Sequence, residues 1–298
     1  MKIFEAIKEA EEKFIQANFD KKTSKNDIED ILLNILKISK SKLFLKRKEE
    51  IGDIDKTIFF NAIEQRLKHK PVQYITNKSI FYGYDFFVNE SCLIPRIDSE
   101  IIVEKVIDYI KKNKKNFKNK SLNILDACCG SGCLGLSIVK TLQDEKLLNN
   151  IDCRVNLCLL DKSSNAIQVA KINAQKLNID AKYIVSDILI NGFGNEKYDI
   201  IVCNPPYIES DVISTLDEDV KNYEPMIALD GGKDGLTFYK SISAYIKKNI
   251  VKDGKIFFEI GYNQGKEVEN IYNQIGFNVR IIKDYGKQDR CIVLSYDK

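Results

Sequence analysis

An apolar run, a glycine-containing turn and a second apolar run follow one another in residues 121–142, which read SLNILDACCGSGCLGLSIVKTL. The first run ends at Asp126, and Gly130 and Gly132 stand directly before the second run, which has a helical pattern. Glycines at the end of a strand let the chain turn tightly and allow backbone amides to approach a ligand. The stretch therefore predicts the first strand and helix of a doubly wound sheet, with a ligand site at their junction.

The residues that follow continue this alternation of strand and helix. Strand-like runs occur at 154–161 (RVNLCLLD), 181–187 (AKYIVSD) and 198–203 (YDIIVC), and then at 255–260, 278–283 and 290–296. Helical patterns lie between them, including AIQVAKINAQKL at 166–177 and the stretches 237–250 and 267–272. Strands that alternate with helices indicate a parallel sheet. We predict an α/β fold with a Rossmann-like, doubly wound and mostly parallel seven-stranded sheet.

The amino-terminal part of the chain has another pattern. Residues 4–67 have helical periodicity, whereas residues 70–96 alternate aromatic and β-branched side chains around Gly83, which is typical of a hairpin. We therefore predict a small helical-bundle domain at 1–73, a β-hairpin linker at 74–96 and the α/β domain at 97–298.

Composition excludes several classes of protein. His69 is the single histidine of the 298 residues, whereas Ser-His-Asp hydrolysis and multi-histidine zinc sites need more imidazoles, so we expect no metal. The 46 basic and 43 acidic residues leave a net charge of +3, far from the strongly basic charge of a dedicated nucleic-acid binder. The eight cysteines form no CxxC pair, and no run of about 18 apolar residues occurs. We expect reduced thiols and a soluble, cytoplasmic protein.

A carboxylate follows the second predicted strand of the α/β domain. Asp161 ends the run 154–161, where its two oxygens can accept hydrogen bonds from ribose hydroxyls. Together with the glycine loop it indicates a nucleoside site. The loop and the acid alone leave open whether the ligand is a nicotinamide cofactor or S-adenosylmethionine.

The tetrapeptide Asn204-Pro205-Pro206-Tyr207 distinguishes between these two possible ligands. It follows the run 198–203 directly and so should lie at the carboxyl edge of the sheet. The prolines restrict the backbone, so the Asn204 side-chain carbonyl and the Pro205 main-chain carbonyl can both accept hydrogen bonds from one planar NH2 group. Tyr207 can pack against that group. This arrangement predicts methyl transfer to an amino or amide nitrogen, for which no strong general base is needed.

These motifs together resemble the protein-(glutamine-N5) methyltransferases that modify peptide chain release factors, the PrmC/HemK family, and the resemblance spans almost the whole chain. It is carried by KPVQYIT at 70–76, FYGYDFFV at 81–88, CLIPR at 92–96, DACCGSG at 126–132, NPPYI at 204–208, YEPMIALDGGKDGL at 223–236, FFEIGYNQG at 257–265 and DYGKQDR at 284–290. The resemblance implies a monomer whose helical domain helps to bind a class I release factor, and which methylates the glutamine of the factor's Gly-Gly-Gln tip. Neither a membrane nor direct nucleic-acid contact is implied.

The resemblance also implies roles for individual residues. S-adenosylmethionine would be held by the loop Cys128, Cys129, Gly130, Ser131 and Gly132 together with Asp161, and its adenine would lie beside Asp187 and Ile188. Asn204, Pro205, Pro206 and Tyr207 would bind the substrate glutamine, with Asn204, Pro205 and Tyr207 as the catalytic residues and Asn204 also bordering the cofactor. Two positions depart from the family pattern: Cys128 stands where a glycine is common, and Ile188 where an aromatic residue is common.

Two other enzyme classes share part of this pattern. The cysteine-containing loop also resembles the sister enzymes that methylate a glutamine of a large-subunit ribosomal protein, and adenine-N6 methyltransferases acting on nucleic acid share the loop and the Asn-Pro-Pro-Tyr motif. The Arg96–Glu100 segment, the Tyr223-Glu224-Pro225 motif and Gly231-Gly232 favour the release-factor group. The sequence leaves open whether Glu224 contacts substrate or only fixes the turn before Pro225.

Overall fold

The computed structural model describes residues 1–149 and 151–296, and these form two compact units. The first unit contains Met1–Lys78 together with Asp217–Tyr223, and the second contains Ser79–Leu216 and the chain from Glu224 onward. The segment predicted as a linker, residues 74–96, therefore begins in the first unit and ends in the second. The short stretch Asp217–Tyr223 belongs to the first unit, although the chain on both sides of it belongs to the second.

The first unit is a bundle of helices, as the sequence predicts. Its helices are α1 (Ile3–Gln16), α2 (Lys21–Leu36), α3 (Lys40–Lys46), α4 (Asp53–Leu67) and α5 (Val72–Thr76). Side-chain capping sets where α2 begins, because Asp20 accepts a hydrogen bond from the Thr23 backbone N–H at 2.8 Å. The apolar stripes of α1, α2 and α4 bury Phe14, Ile31 and Phe59 in a common core.

A β-hairpin opens the second unit. Strands β1 (Ser79–Phe81) and β2 (Tyr84–Phe86) pair antiparallel across the two-residue turn Tyr82-Gly83. Both turn residues have positive φ, 50° and 78°, as a type I′ turn requires. Phe81 and Phe86 are fully buried, so one face of the hairpin joins the core of the unit.

Within the described residues, the second unit contains a seven-stranded sheet, which confirms the predicted architecture. Its strands are β3 (Ser121–Ala127), β4 (Arg154–Asp161), β5 (Ala181–Val185), β6 (Tyr198–Cys203), β7 (Ile250–Glu259), β8 (Asn278–Lys283) and β9 (Asp289–Ser295). Their order is β5-β4-β3-β6-β7-β9-β8; the pairs β7–β9 and β9–β8 are antiparallel and the other pairs of this sheet are parallel. The order reverses between β3 and β6, which is where doubly wound sheets bind ligands.

Helices cover both faces of this sheet. They are α6 (Glu100–Lys112), α7 (Cys133–Asp144), α8 (Ser164–Leu177), α9 (Ile188–Asn191), α11 (Met226–Leu229), α12 (Thr237–Ser243), α13 (Ile246–Asn249) and α14 (Gly265–Gln274), while α10 (Glu218–Lys221) lies in the segment that belongs to the first unit. One core cluster joins the sheet to α6, α7 and α8, and the other joins it to α12, α13 and α14. Because both faces are buried, the central strands are largely apolar.

One predicted helix is wrong in its extent. The pattern at 237–250 predicts a single helix, whereas the structure ends α12 at Ser243, begins α13 at Ile246 and places Ile250 in β7. Tyr245 has a φ of −130°, and its hydroxyl donates a hydrogen bond to the Ile188 carbonyl at 2.9 Å. A tertiary contact thus accompanies an interruption that local periodicity does not reveal.

None of the helices in the described part of the chain combines the length and apolar character that crossing a membrane requires.

A buried ion pair lies inside the helical unit. Arg66 on α4 is 5% exposed, and its Nε donates to the Asp27 carboxylate of α2 at 2.6 Å. Its Nη2 lies 2.9 Å from an Asp219 oxygen in the segment Asp217–Tyr223. Burial raises the pKa of Asp27, and the Arg66 guanidinium acts against that rise. Loss of the arginine would leave a desolvated acid without its cation.

We expect Arg66→Met to lower the free energy of unfolding by about 3–5 kcal/mol, because breaking a buried pair leaves an uncompensated charge. Urea denaturation followed by circular dichroism measures the change. The control is Arg47→Met, since the Arg47 side chain is exposed and should contribute less than about 1 kcal/mol. Equal losses in the two variants would contradict this account of the pair.

Candidate active site

The glycine loop leaves the sheet at the end of β3 and leads into α7. Its backbone turns through positive φ at Cys128 (55°), Gly130 (52°) and Gly132 (78°). The positive φ favours glycine at residue 132, and a Cβ there would lie 2.9 Å from the end of the Leu136 side chain, which would have to shift. Cys128 adopts a left-handed conformation that costs an L-residue about 1–2 kcal/mol. The turn therefore forms despite the departure from glycine at residue 128.

Asp161 ends β4 beside this loop and helps to shape it. One carboxylate oxygen accepts from the Gly130 N–H and the other from the Ser163 N–H, both at 2.8 Å. Burial raises the pKa of Asp161, while these backbone donors favour its charged form. A carboxylate oxygen can accept more than one hydrogen bond, so Asp161 can also receive a pair of vicinal hydroxyls.

A single cavity brings together most of the residues that the sequence singles out. Nine of them line it: Cys128, Cys129, Gly130, Ser131, Asp161, Asp187, Ile188, Asn204 and Pro206. Gly132, Pro205 and Tyr207 belong to the same loops but are not among the lining residues. The glycine loop and the Asn-Pro-Pro-Tyr segment thus face one common space.

Other lining residues come from segments to which sequence reasoning gave no cofactor role. Ser91, Cys92, Leu93, Pro95, Arg96 and Ser99 lie between the hairpin and α6. Pro225 ends the Tyr223-Glu224-Pro225 motif, and Ile227, Ala228 and Phe238 follow it. Their positions overlap two motifs of the family resemblance, CLIPR and YEPMIALDGGKDGL. Those motifs were the available signal, but a motif alone does not say which cavity its residues line.

Asp187 and Ile188 stand at the end of the cavity beyond β5. Asp187 begins α9 by accepting from the Leu189 N–H at 2.9 Å, and its other oxygen pairs with Lys162 at 2.8 Å. The Lys162 ammonium lowers the pKa of Asp187. Ile188 is buried at 3% exposure and provides an apolar surface. A carboxylate next to an aliphatic wall suits a purine with an exocyclic amine.

Asn204–Tyr207 leaves the sheet at the end of β6 and is held by two side chains. The Tyr207 hydroxyl donates to Glu259 at the end of β7, at 3.1 Å, and the Tyr207 carbonyl accepts from the Gln264 side chain at 2.9 Å. Burial raises the pKa of both Tyr207 and Glu259. The tyrosine ring is thus fixed at its hydroxyl and at its backbone.

A glycine-rich segment lies against the backbone of Tyr207. A Cβ at Gly231 would come within 2.7 Å of the Tyr207 Cα, and one at Gly235 would come within 2.4 Å of the Tyr207 carbonyl oxygen. Ile208 also exchanges backbone hydrogen bonds with Leu229 and Gly231, at 3.1 and 2.8 Å. The ALDGGKDGL motif is therefore a support that fits only without side chains at these two positions.

Glu224 is engaged by the protein itself. One carboxylate oxygen pairs with the Arg96 guanidinium, and the other accepts from the Ile94 N–H at 3.4 Å. The Glu224 side chain is 1% exposed, whereas that of Arg96 is 39% exposed. The pair joins the CLIPR segment to the YEP segment, which favours the structural alternative for Glu224.

The cavity has the groups that a nucleoside sulfonium requires. It offers a carboxylate for ribose hydroxyls, apolar walls for a purine and an amide side chain, that of Asn204. Within residues 1–149 and 151–296, no cluster of three or more His, Cys, Asp or Glu side chains is arranged to hold a metal ion. The arrangement can hold an electrophile and present a polarised nitrogen to it.

Comparisons with known proteins agree with this chemistry. Residues 5–76 match the family model described as the PrmC N-terminal domain, and residues 110–218 match the Methyltransferase small domain. The chain is 38% identical to the release factor glutamine methyltransferase of Clostridium acetobutylicum, over 98% of this chain and 95% of that protein. It is 37% identical to the enzyme of the same name from Thermodesulfovibrio yellowstonii, over 91% and 92% of the two chains. The solved catalytic domain of hMettl16, in complex with the MAT2A 3′UTR hairpin 6, shares the fold with a TM-score of 0.51 at 13% identity, over 83% of each chain.

We expect Gly235→Ala to destabilise the protein more than Gly194→Ala does. Both glycines have positive φ, 67° and 75°, so either alanine should cost about 1–2 kcal/mol for its conformation. Only the Cβ at residue 235 meets the Tyr207 carbonyl, which should add about 1–3 kcal/mol. Urea denaturation of the two variants measures the difference, and equal losses would refute the close approach at Gly235.

Proposed function

The chain belongs to the release factor glutamine methyltransferases, and we propose that it methylates the side-chain amide nitrogen (N5) of the glutamine in the Gly-Gly-Gln motif of class I peptide chain release factors. It is a methyltransferase that uses S-adenosylmethionine. The observation that supports the acceptor most directly is the single cavity lined both by the glycine loop with Asp161 and by Asn204 with Pro206. Cofactor and acceptor can therefore meet there.

The cofactor is held by the loop Cys128–Gly132 and by Asp161 in this proposal. Asp161 would accept hydrogen bonds from the ribose hydroxyls, Ile188 would provide an apolar surface for the adenine, and Asp187 would accept from its amino group. Lys162 already pairs with one Asp187 oxygen, so Asp187 would share its carboxylate between the lysine and the adenine. S-adenosylmethionine supplies a methyl group bound to a positively charged sulfur.

Asn204 and Pro205 orient the acceptor. The Asn204 side-chain carbonyl and the Pro205 main-chain carbonyl each accept one hydrogen bond from the glutamine NH2, so the nitrogen turns its face toward the methyl group. Pro206 restricts the backbone that carries these acceptors, and Tyr207, tethered through Glu259, packs along the amide plane.

An amide nitrogen is a poor nucleophile, and the two carbonyl acceptors address this limitation. They stabilise the positive charge that develops on the nitrogen during transfer, and they are fixed before the substrate arrives. Transfer would break the methyl–sulfur bond, leave the electron pair on the sulfur of S-adenosylhomocysteine, and release one proton from the nitrogen to water. This mechanism uses no imidazole, in agreement with a site built without histidine.

The partner and the place of action belong to the same proposal. The enzyme acts as a monomer in the cytoplasm, on the protein factor rather than on nucleic acid, and the net charge of +3 supports a protein substrate. The alternatives from the sequence, a ribosomal-protein glutamine and an adenine-N6 position in nucleic acid, become outcomes of the substrate test.

We expect label from methyl-labelled S-adenosylmethionine to appear on a class I release factor and to be lost when the tip glutamine is changed to alanine. Mass spectrometry of the Gly-Gly-Gln peptide locates the methyl group. Parallel reactions contain ribosomal proteins or nucleic acid in place of the factor. Label on the Gln-to-Ala tip variant, or only on ribosomal protein or nucleic acid, would overturn the proposed acceptor.

We expect Asn204→Ala to reduce kcat by about 10²–10³, as the loss of one preorganised electrostatic contact does in other enzymes. Initial rates at saturating cofactor and release factor measure the change. Asn195→Ala is the control, because Asn195 is exposed and outside the cavity lining. Near-wild-type turnover of the Asn204 variant would remove this residue from the mechanism.

A further inference from the structure

The wall of the cofactor cavity includes a segment with neither helix nor strand. We call residues Phe87–Arg96, between the end of β2 and the turn at Ile97, the strap. Ser91, Cys92, Leu93, Pro95 and Arg96 of the strap line the cavity. Because the strap has no strand partner, its backbone polar groups need other hydrogen-bonding partners to hold its position.

Asn173 on α8 connects the strap to the glycine loop. Its side chain is fully buried, and its Oδ1 accepts from the Phe87 N–H at 2.6 Å. Its Nδ2 donates to the Phe87 carbonyl and to the Ser131 carbonyl, both at 2.9 Å. Phe87 begins the strap and Ser131 lines the cavity, so one amide connects two walls of the same site.

The chemistry of this connection requires an amide. Two carbonyls accept hydrogen bonds from this group, and the Phe87 N–H donates one to it. Among side chains, only Asn and Gln carry two such donors and an acceptor in one planar unit. An aspartate has nearly the same shape but donates no hydrogen bond when ionised. Asn173→Asp therefore removes both donations with little change in volume.

A second buried asparagine, Asn249, provides a comparison, because its side-chain hydrogen bonds lie away from the cavity. Asn249 at the end of α13 is also fully buried, and its Nδ2 donates to the Gly194 and Glu196 carbonyls at 3.0 and 2.9 Å. Neither Asn249 nor these two partners line the cavity. Asn173 and Asn249 thus each donate to two carbonyls, and they differ in that one Asn173 partner, Ser131, lines the cavity whereas neither Asn249 partner does.

We propose that Asn173 is a positioning residue for S-adenosylmethionine, which sets cofactor affinity by holding the strap against the glycine loop. This inference rests on the cofactor site described under the proposed function. When the connection is intact, the two walls are already in place and binding loses little conformational entropy. When it is lost, the cofactor must order the strap as it binds, so affinity falls while the reacting groups stay unchanged.

The test compares Asn173→Asp with Asn249→Asp. Isothermal titration calorimetry measures the Kd of S-adenosylhomocysteine, and thermal denaturation measures stability. We expect both variants to lower Tm, because each leaves buried carbonyls without donors. Only Asn173→Asp should weaken binding, by about 10- to 100-fold, the range seen when the hydrogen-bond partners of metal ligands are removed. Equal binding losses in the two variants, or wild-type affinity in Asn173→Asp, would overturn the inference.

Kinetics provide a readout that lost stability does not imitate. In the Asn173 variant the KM for S-adenosylmethionine should rise while kcat at saturating cofactor stays within a few-fold of wild type. A fall in kcat with unchanged KM would contradict a role in cofactor positioning. A wild-type enzyme that binds S-adenosylhomocysteine but labels no release factor would defeat the proposed acceptor alone, and the binding comparison would stand.

Hydrogen exchange of the wild-type protein keeps the inference testable if Asn173→Asp does not fold. Amides of the strap and of residues 128–132 should be protected from exchange even without S-adenosylhomocysteine, because Asn173 already holds both segments. A strap that exchanges in the ligand-free protein as fast as an unfolded chain would refute the inference.

Discussion

The register of the parallel strands is the constraint on which the site depends. Ala127 at the end of β3 pairs with Leu160 of β4 on one side and with Cys203 of β6 on the other. The residues that come next, Cys128, Asp161 and Asn204, therefore lie at the same level at the carboxyl edge of the sheet. Three segments far apart in sequence meet at one edge because their backbones are hydrogen-bonded in this register.

The irregular backbone beyond that edge does not form a strand ladder of its own, so side chains must hold it in place. Buried amides and carboxylates do this at several points. Gln264 accepts from the Gly261 N–H and donates to the Tyr207 carbonyl, Glu224 pairs with Arg96, and Asn173 bridges Phe87 and Ser131. Several motifs of the chain are thus explained as supports of the cavity walls, and the residues assigned to the reaction are few.

The position of Cys128 illustrates how tertiary structure overrides local preference. A cysteine in the left-handed region is unfavourable by itself, yet the neighbouring Cys129 N–H donates to the Leu160 carbonyl at 3.0 Å and Gly130 is held by Asp161. The side chain of Cys128 packs against the apolar core under the loop. Hydrogen bonds and packing on both sides of the residue therefore maintain a conformation that propensity disfavours.

Periodicity and motif order in the sequence were sufficient for the helical bundle, the α/β sheet with its strand runs, and the loops that meet at its carboxyl edge. These features follow from local rules, because burial on two faces makes strands continuously apolar and glycine marks tight turns. The break between α12 and α13, the membership of Asp217–Tyr223 in the first unit, and the roles of Asn173, Glu224 and Gly235 depend on residues distant in sequence. Hydrogen-bond partners and close backbone approaches produce no periodic pattern in the sequence. Only the tertiary structure therefore shows which buried amide holds which wall of the cavity.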